Sequence, residues 1–235
     1  MVSPNQRPTD NSGRPSAGFA AARDVARKPH SPPLREGQNA LLACLPCFAA
    51  TAYVLTQYGP RAAQDIQVGT PIVTTDSGVR PVVWINHLSP PRGQSLDMIE
   101  IASGVFGNPS PICLSPRQHL LLRGWRAEQC CGTHEVLIQA AHLENGHSIR
   151  RRTIPPDMRF VLILLGRADI IQADGLELLT PDPTLPDLGT TARQILRDMA
   201  LSPDTVEDRL GPLPPRRIAR PDQARAITGY WPVIW

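Results

Sequence analysis

The sequence predicts an all-β fold of many short strands, bordered by a flexible leader and by a proline-rich tail with one short helix. Three observations predict it. Between residues 44 and 180, short runs rich in Val, Ile and Leu are punctuated by Gly, Pro, Asp, Ser and Asn. Turn chemistry at that spacing belongs to sheets of short strands. The chain has 26 prolines, and they crowd towards its two ends. Finally, the first 39 residues carry Pro, Ser, Asn, Gly and charge with little periodic apolar content. Such a segment cannot bury enough surface to offset the entropy lost on ordering. The expected organisation is a leader over 1–43, a β-domain over 44–180 and a tail over 181–235. A domain of that length is large enough for a core of its own.

Each element can be justified in turn. A short Ala-rich helix over 16–27 would be marginal alone. "AYVLTQYG" reads as a strand running into a turn at Gly59, followed by a short connector. A strand over 71–75 meets the turn Asp76-Ser77-Gly78, and a further strand follows over 79–85. Further strands are expected over 97–101, 112–114, 119–122, 135–138, 158–165 and 169–172. The Arg150-Arg151-Arg152 run reads as a solvated strand end rather than an anion site. Helix is expected only in the tail, where Thr190 or Thr191 can cap "ARQILRDMAL" before Pro203 ends it.

Composition narrows the function classes. A formal net charge of +3 demands no nucleic-acid footprint. No segment approaches the ~18 consecutive apolar residues of a membrane span. The first thirty residues lack the apolar centre of a cleavable secretory signal. Five cysteines is an odd number, against a fully paired extracellular framework. No cofactor motif is present. Cys47 stands out by position, at the first residue of the predicted fold with a dispensable segment upstream.

From Cys47 to about residue 179 the sequence resembles a bacterial Hedgehog/intein (Hint) domain. "CFAATAYVLTQYG" keeps Cys47, Phe48, Thr56 and Gly59 of the opening block, and "DIQVGTPIV" keeps Gly69 and Val73 of the next. Pro81, Val82, Trp84 and Ile85 meet the family's Pro-Val-x-Trp-Ile in full. "LSPRQHLLL", "VLIQAAHLENGHSI" and "FVLILLGRADIIQADGLELL" resemble three later blocks, in order. The resemblance implies a Hint fold and self-processing. A thiol at Cys47 would attack the carbonyl of the Pro46–Cys47 bond, and the resulting thioester would be opened by water or a thiol. The substrate would be the chain's own N-terminal segment.

By the same resemblance Cys47 is the nucleophile, Ser115 helps to hold the scissile bond and a histidine acts as general acid. Here that histidine falls one place late, at His119, with Gln118 at the expected position. A one-residue shift on a strand turns a side chain to the other face, unless a bulge at 117–118 turns it back. In the last block Leu162, Gly166 and Ala168 stand where the family has His, Asp and His. The scaffold positions are kept and the polar ones are replaced, so reduced or lost activity is expected. Splicing is not expected, because no terminal Asn of the intein type closes the domain.

Other readings stay open. The domain could be a non-catalytic binding or scaffold module, meeting a protein partner through its proline-rich ends. Cys44, Cys47, Cys130, Cys131 and His134 have the spacing of a structural zinc site, although Pro46 sits inside the first pair. "CLPC" lacks the βαβ context of a thioredoxin-like motif. The compartment stays open too, cytoplasmic or exported without a cleaved signal.

Overall fold

A computed structural model of the chain describes residues 45–90, 96–181 and 216–229. The expected helices over 16–27 and 192–201 lie outside them. The described residues form fifteen strands, two α-helices and two short 3-10 turns, so the expectation of a mainly β fold holds.

The strands make two sheets. The first has six, in the order β11 (Ile149–Thr153), β7 (Asp97–Ile101), β8 (Ile112–Leu114), β1 (Phe48–Ala49), β12 (Phe160–Leu164) and β6 (Trp84–Leu88). The second runs β15 (Arg217–Ile218), β10 (Glu135–Gln139), β9 (His119–Arg123), β14 (Leu176–Leu179), β13 (Ile170–Ala173), β2 (Tyr53–Thr56), β4 (Pro71–Thr74) and β5 (Gly78–Pro81). β3 (Gly59–Ala62) pairs with β2 alongside this path.

The main core draws on both sheets. Phe48, Ile99, Ile101, Ile112, Leu114, Val161 and Ile163 come from the first, and Val54, Ile72, Leu120, Val136, Ile138 and Ile171 from the second. The first sheet also buries its other face. Leu45, Cys47, Ala49, Trp84, Leu88, Met98, Cys113, Ile154, Phe160, Leu162 and Leu164 form a separate apolar cluster there. Alternation along β12 divides its side chains between the two layers. A strand buried on both faces reads as an unbroken apolar run, which is what "FVLILL" is.

Several elements depart from the sequence reading. The strand expected over 79–85 is two strands, because the chain changes sheets at Val82–Val83. The Val82 N–H bonds Thr70 O at 2.9 Å, while the Val83 N–H bonds Leu164 O at 2.9 Å. The expected connector after Gly59 is the return strand β3, whose Pro60 and Arg61 pair with Leu55 and Val54. Helix is not confined to the tail. α1 spans Trp125–Cys131 inside the domain and ends on Gly132, in the left-handed conformation that only glycine adopts cheaply. It is one short helix without a side-chain cap, so it left little sequence signal. The described tail helix, α2, spans Pro221–Gly229 and starts with proline at its first position.

Residues 216–229 pack on the β-domain. β15 adds in parallel to β10, with Val136 opposite Arg217. Arg216, 8% exposed, holds Asp76 through two hydrogen bonds of 2.6 and 2.7 Å and reaches Glu135 at 2.9 Å. Ala224 and Ile227 of α2 enter the main core.

Candidate functional site

Cys47 sits where the chain enters the first sheet. The pairing of Phe48 with Leu114 on one side and Val161 on the other fixes its neighbours. Carried one residue further, that register places Ser115 on one flank of Cys47 and Leu162 on the other. The Ser115 flank is confirmed by hydrogen bonds. The Ser115 N–H donates to Cys47 O at 2.8 Å, and the Cys47 N–H donates to Ser115 Oγ at 3.4 Å. Both residues are completely buried. Leu162 pairs in turn with Asn86 of β6. One row across four strands therefore reads Ser115, Cys47, Leu162, Asn86, on the face of the separate apolar cluster.

The environment sets the chemistry of the thiol. Burial among Leu45, Ala49 and Leu162 removes the water that would solvate a thiolate, and pushes the Cys47 thiol far above its usual range. A hydrogen bond with Ser115 acts in the opposite sense and is outweighed. Two positions from Ser115 on the same face, Cys113 lies opposite Glu100. Its thiol is pushed up to about 11, by burial first and by the Glu100 charge second. Burial alone would raise the Glu100 carboxyl too. Hydrogen bonds from Arg152 and Arg150, the latter 2.8 Å away, overcome that and hold it below its usual range. Two residues of the arginine run are thus partners of a buried carboxylate rather than merely a solvated strand end.

His119 is placed in the second sheet, on β9 opposite Gln139, and is half-buried. Ser115 and Gln118 are the corners of a turn, with the Gln118 N–H bonded to Ser115 O at 3.0 Å. This is a turn between sheets, not the bulge considered from the sequence. Gln118 has a structural task there, since its side-chain amide donates to Leu179 O at 2.8 Å and to His119 O at 3.1 Å. Of the three residues singled out, Cys47 and Ser115 are in contact, while His119 is carried on the other sheet.

The zinc reading finds no support in this arrangement. Cys44 lies outside the described residues. Among the described residues, no three His, Cys, Asp or Glu side chains gather as metal ligands. Cys47 belongs to the apolar cluster, and His134 is exposed and paired with Glu128 at 2.9 Å.

The sequence reading missed Asn86, and placed Trp84 only as a family motif residue, which the structure buries in the core. Both are buried on the Cys47 face of β6, and neither Asn86 Nδ2 nor Trp84 Nε1 has a hydrogen-bond partner among the described residues. Alternation along "WINHL" was the available signal, since positions 84, 86 and 88 share a face.

The family model described as Hint domain matches residues 46–180, more than half of the chain. The chain belongs to the Hint domain family. Solved structures similar to it include a bacterial intein-like domain from Clostridium thermocellum, at 12% identity and a TM-score of 0.39. The match covers 57% of this chain and 98% of that one. A splice-inactive variant of the AceL NrdHF class 3 split intein matches at 10% identity and a TM-score of 0.38, over 58% of this chain and 97% of its own. The gp41-1 intein matches at 13% identity and 0.37, over 58% and 98%. No curated protein matches the sequence. Among the described residues, no helix is long and apolar enough to cross a membrane.

Proposed function

We propose that this Hint domain is of the autoprocessing class, that its substrate is its own N-terminal segment, and that the reaction is suppressed in the folded chain. Cys47 Sγ adds to the Pro46 carbonyl carbon, and the bond from that carbon to the Cys47 nitrogen breaks. A thioester forms, and the proton lost by the thiol ends on the released α-amine. Water or an added thiol then opens the thioester and frees the upstream fragment. Ser115 is assigned the leaving nitrogen. Its Oγ accepts the Cys47 N–H at 3.4 Å and its hydroxyl also meets the thiol, so one group touches both ends of the proton's path. His119 stands on β9 of the second sheet, opposite Gln139.

The observation that carries this reading is the contact between Cys47 and Ser115 at the head of the domain. The burial that accompanies it supports suppression, because the thiolate is the nucleophile and the site disfavours it. The side chains flanking Cys47 in its own row, Ser115 and Leu162, include no base. That observation favours a second reading, a non-catalytic Hint scaffold.

Mass spectrometry of the purified full chain over a day, with and without a small thiol, separates the two. The wild type is expected to remain almost entirely whole. Leu162→His places an imidazole beside the thiol, and should release fragments 1–46 and 47–235 at least tenfold faster, within the range of general acid–base catalysis. Adding Cys47→Ala to that variant should abolish release. A folded Leu162→His protein that stays whole defeats the autoprocessing reading in favour of the scaffold. Quantitative cleavage of the wild type defeats the claim of suppression.

A further inference from the structure

A cleft of about 360 Å³ opens beside α1 and β9, remote in sequence from Cys47. Phe106, Leu122, Leu176 and Ile227 supply apolar lining, Trp125 stands in its wall, and Glu177 brings a carboxylate. Trp125 is 57% exposed, one of few large apolar side chains so exposed among the described residues. The Arg126 guanidinium lies 4.9 Å from the Trp125 ring centroid, which holds the indole at the mouth. Glu177 is fixed by Arg123 at 3.0 Å. The walls come from four separate parts of the chain.

We propose that this cleft is the docking site of residues 230–235 of the same chain, Tyr-Trp-Pro-Val-Ile-Trp. The described structure ends at Gly229 of α2, and Ile227, two residues earlier, already lines the cleft. The six residues that follow are all apolar or aromatic and hold two of the four tryptophans. A run of that composition gains by leaving water, and its tether delivers it to the cleft at high effective concentration. The capacity fits. A cavity of roughly 150 Å³ accepts a benzene ring, so about 360 Å³ accommodates an indole with an aliphatic neighbour. A buried indole needs an acceptor for its N–H, and the Glu177 carboxylate supplies one. Docking would also cover Trp125 and close the tail's hold on the second sheet, begun by Arg216.

The test uses the chain shortened after Gly229, checked for an unchanged circular dichroism spectrum, and a labelled synthetic Tyr-Trp-Pro-Val-Ile-Trp peptide followed by fluorescence anisotropy. Saturable binding to the shortened chain is expected. It should be at least tenfold weaker to the full chain, whose cleft is already filled, and to the shortened chain carrying Trp125→Ala. No saturable binding to the folded shortened chain overturns the proposal. So does equal binding to the full and shortened chains, or indifference to Trp125→Ala. Sedimentation distinguishes the remaining occupant. The full chain should be monomeric, and a dimer lost on shortening would show the segment docking into a second copy, against the assignment within one chain.

Discussion

At the scale of single residues, position decides reactivity. Cys47 and Cys113 face the same apolar cluster, and their thiols hold their protons because a thiolate there would lose its hydration. Cys130 is less enclosed. Native protein treated with a maleimide at pH 8 should be labelled at Cys130 well before Cys47 or Cys113, read by peptide mapping. Labelling of Cys47 at the rate of a free thiol would contradict its placement. The sign of the pH dependence follows from the same shift. Below the ordinary thiol value of 9.0, both folded and unfolded chains keep the Cys113 proton and stability is flat. Above it the unfolded chain loses the proton while the folded one retains it up to about 11, so stability falls across that window. Urea midpoints measured from pH 8 to 11 should show this fall, and Cys113→Ala should make it shallower.

At the scale of elements, the turn chemistry sets the register. Asp174 and Gly175 both have positive φ, 46° and 79°, in the two-residue loop joining β13 to β14. Asp-Gly favours that hairpin geometry. The loop is also pinned to β2, since the Asp174 N–H donates to Tyr53 O at 2.9 Å and the Tyr53 N–H to Asp174 Oδ1 at 3.0 Å. A Cβ at position 175 would lie 3.3 Å from Gly107 O, in a conformation that costs an L-residue strain. Gly175→Ala should therefore destabilise by about 1–2 kcal/mol, seen as a lower urea midpoint with unchanged slope. Other elements were legible from the start. Positions 97–101 and 112–114 are strands with the expected bounds, because alternation and flanking turn residues agree there. The break at Val82–Val83 was not legible. Its cause lies in backbone partners on two different sheets, at Thr70 and Leu164, which a local pattern does not record.

At the scale of the whole molecule, the tail's last described segment is held by an ion-pair anchor. Asp76 is nearly enclosed, and its partner Arg216 lies 140 positions away in the sequence. Arg216→Ala leaves that carboxylate buried without its counter-ion. A loss of roughly 3 kcal/mol is expected, with release of β15 and α2 visible as faster amide exchange over 216–229. The double change Asp76→Asn with Arg216→Ala should recover part of the loss. Equal exchange over 216–229 in wild type and Arg216→Ala would remove the anchor's role.

The sequence by itself determined the β class, the Hint resemblance and the place of Cys47 at the head of the fold. These rest on local signals, namely apolar alternation, turn residues and ordered short blocks. It also offered the neighbours Ser115 and Leu162 as positions of interest, without their arrangement. Only the tertiary structure put Ser115 and Leu162 on either side of Cys47, sent His119 to the other sheet through the 115–118 turn, and sealed the thiol in a second apolar layer. The physical reason is that strand neighbours and burial come from pairing between residues far apart in the chain. Ser115 lies 68 positions beyond the cysteine whose N–H it accepts.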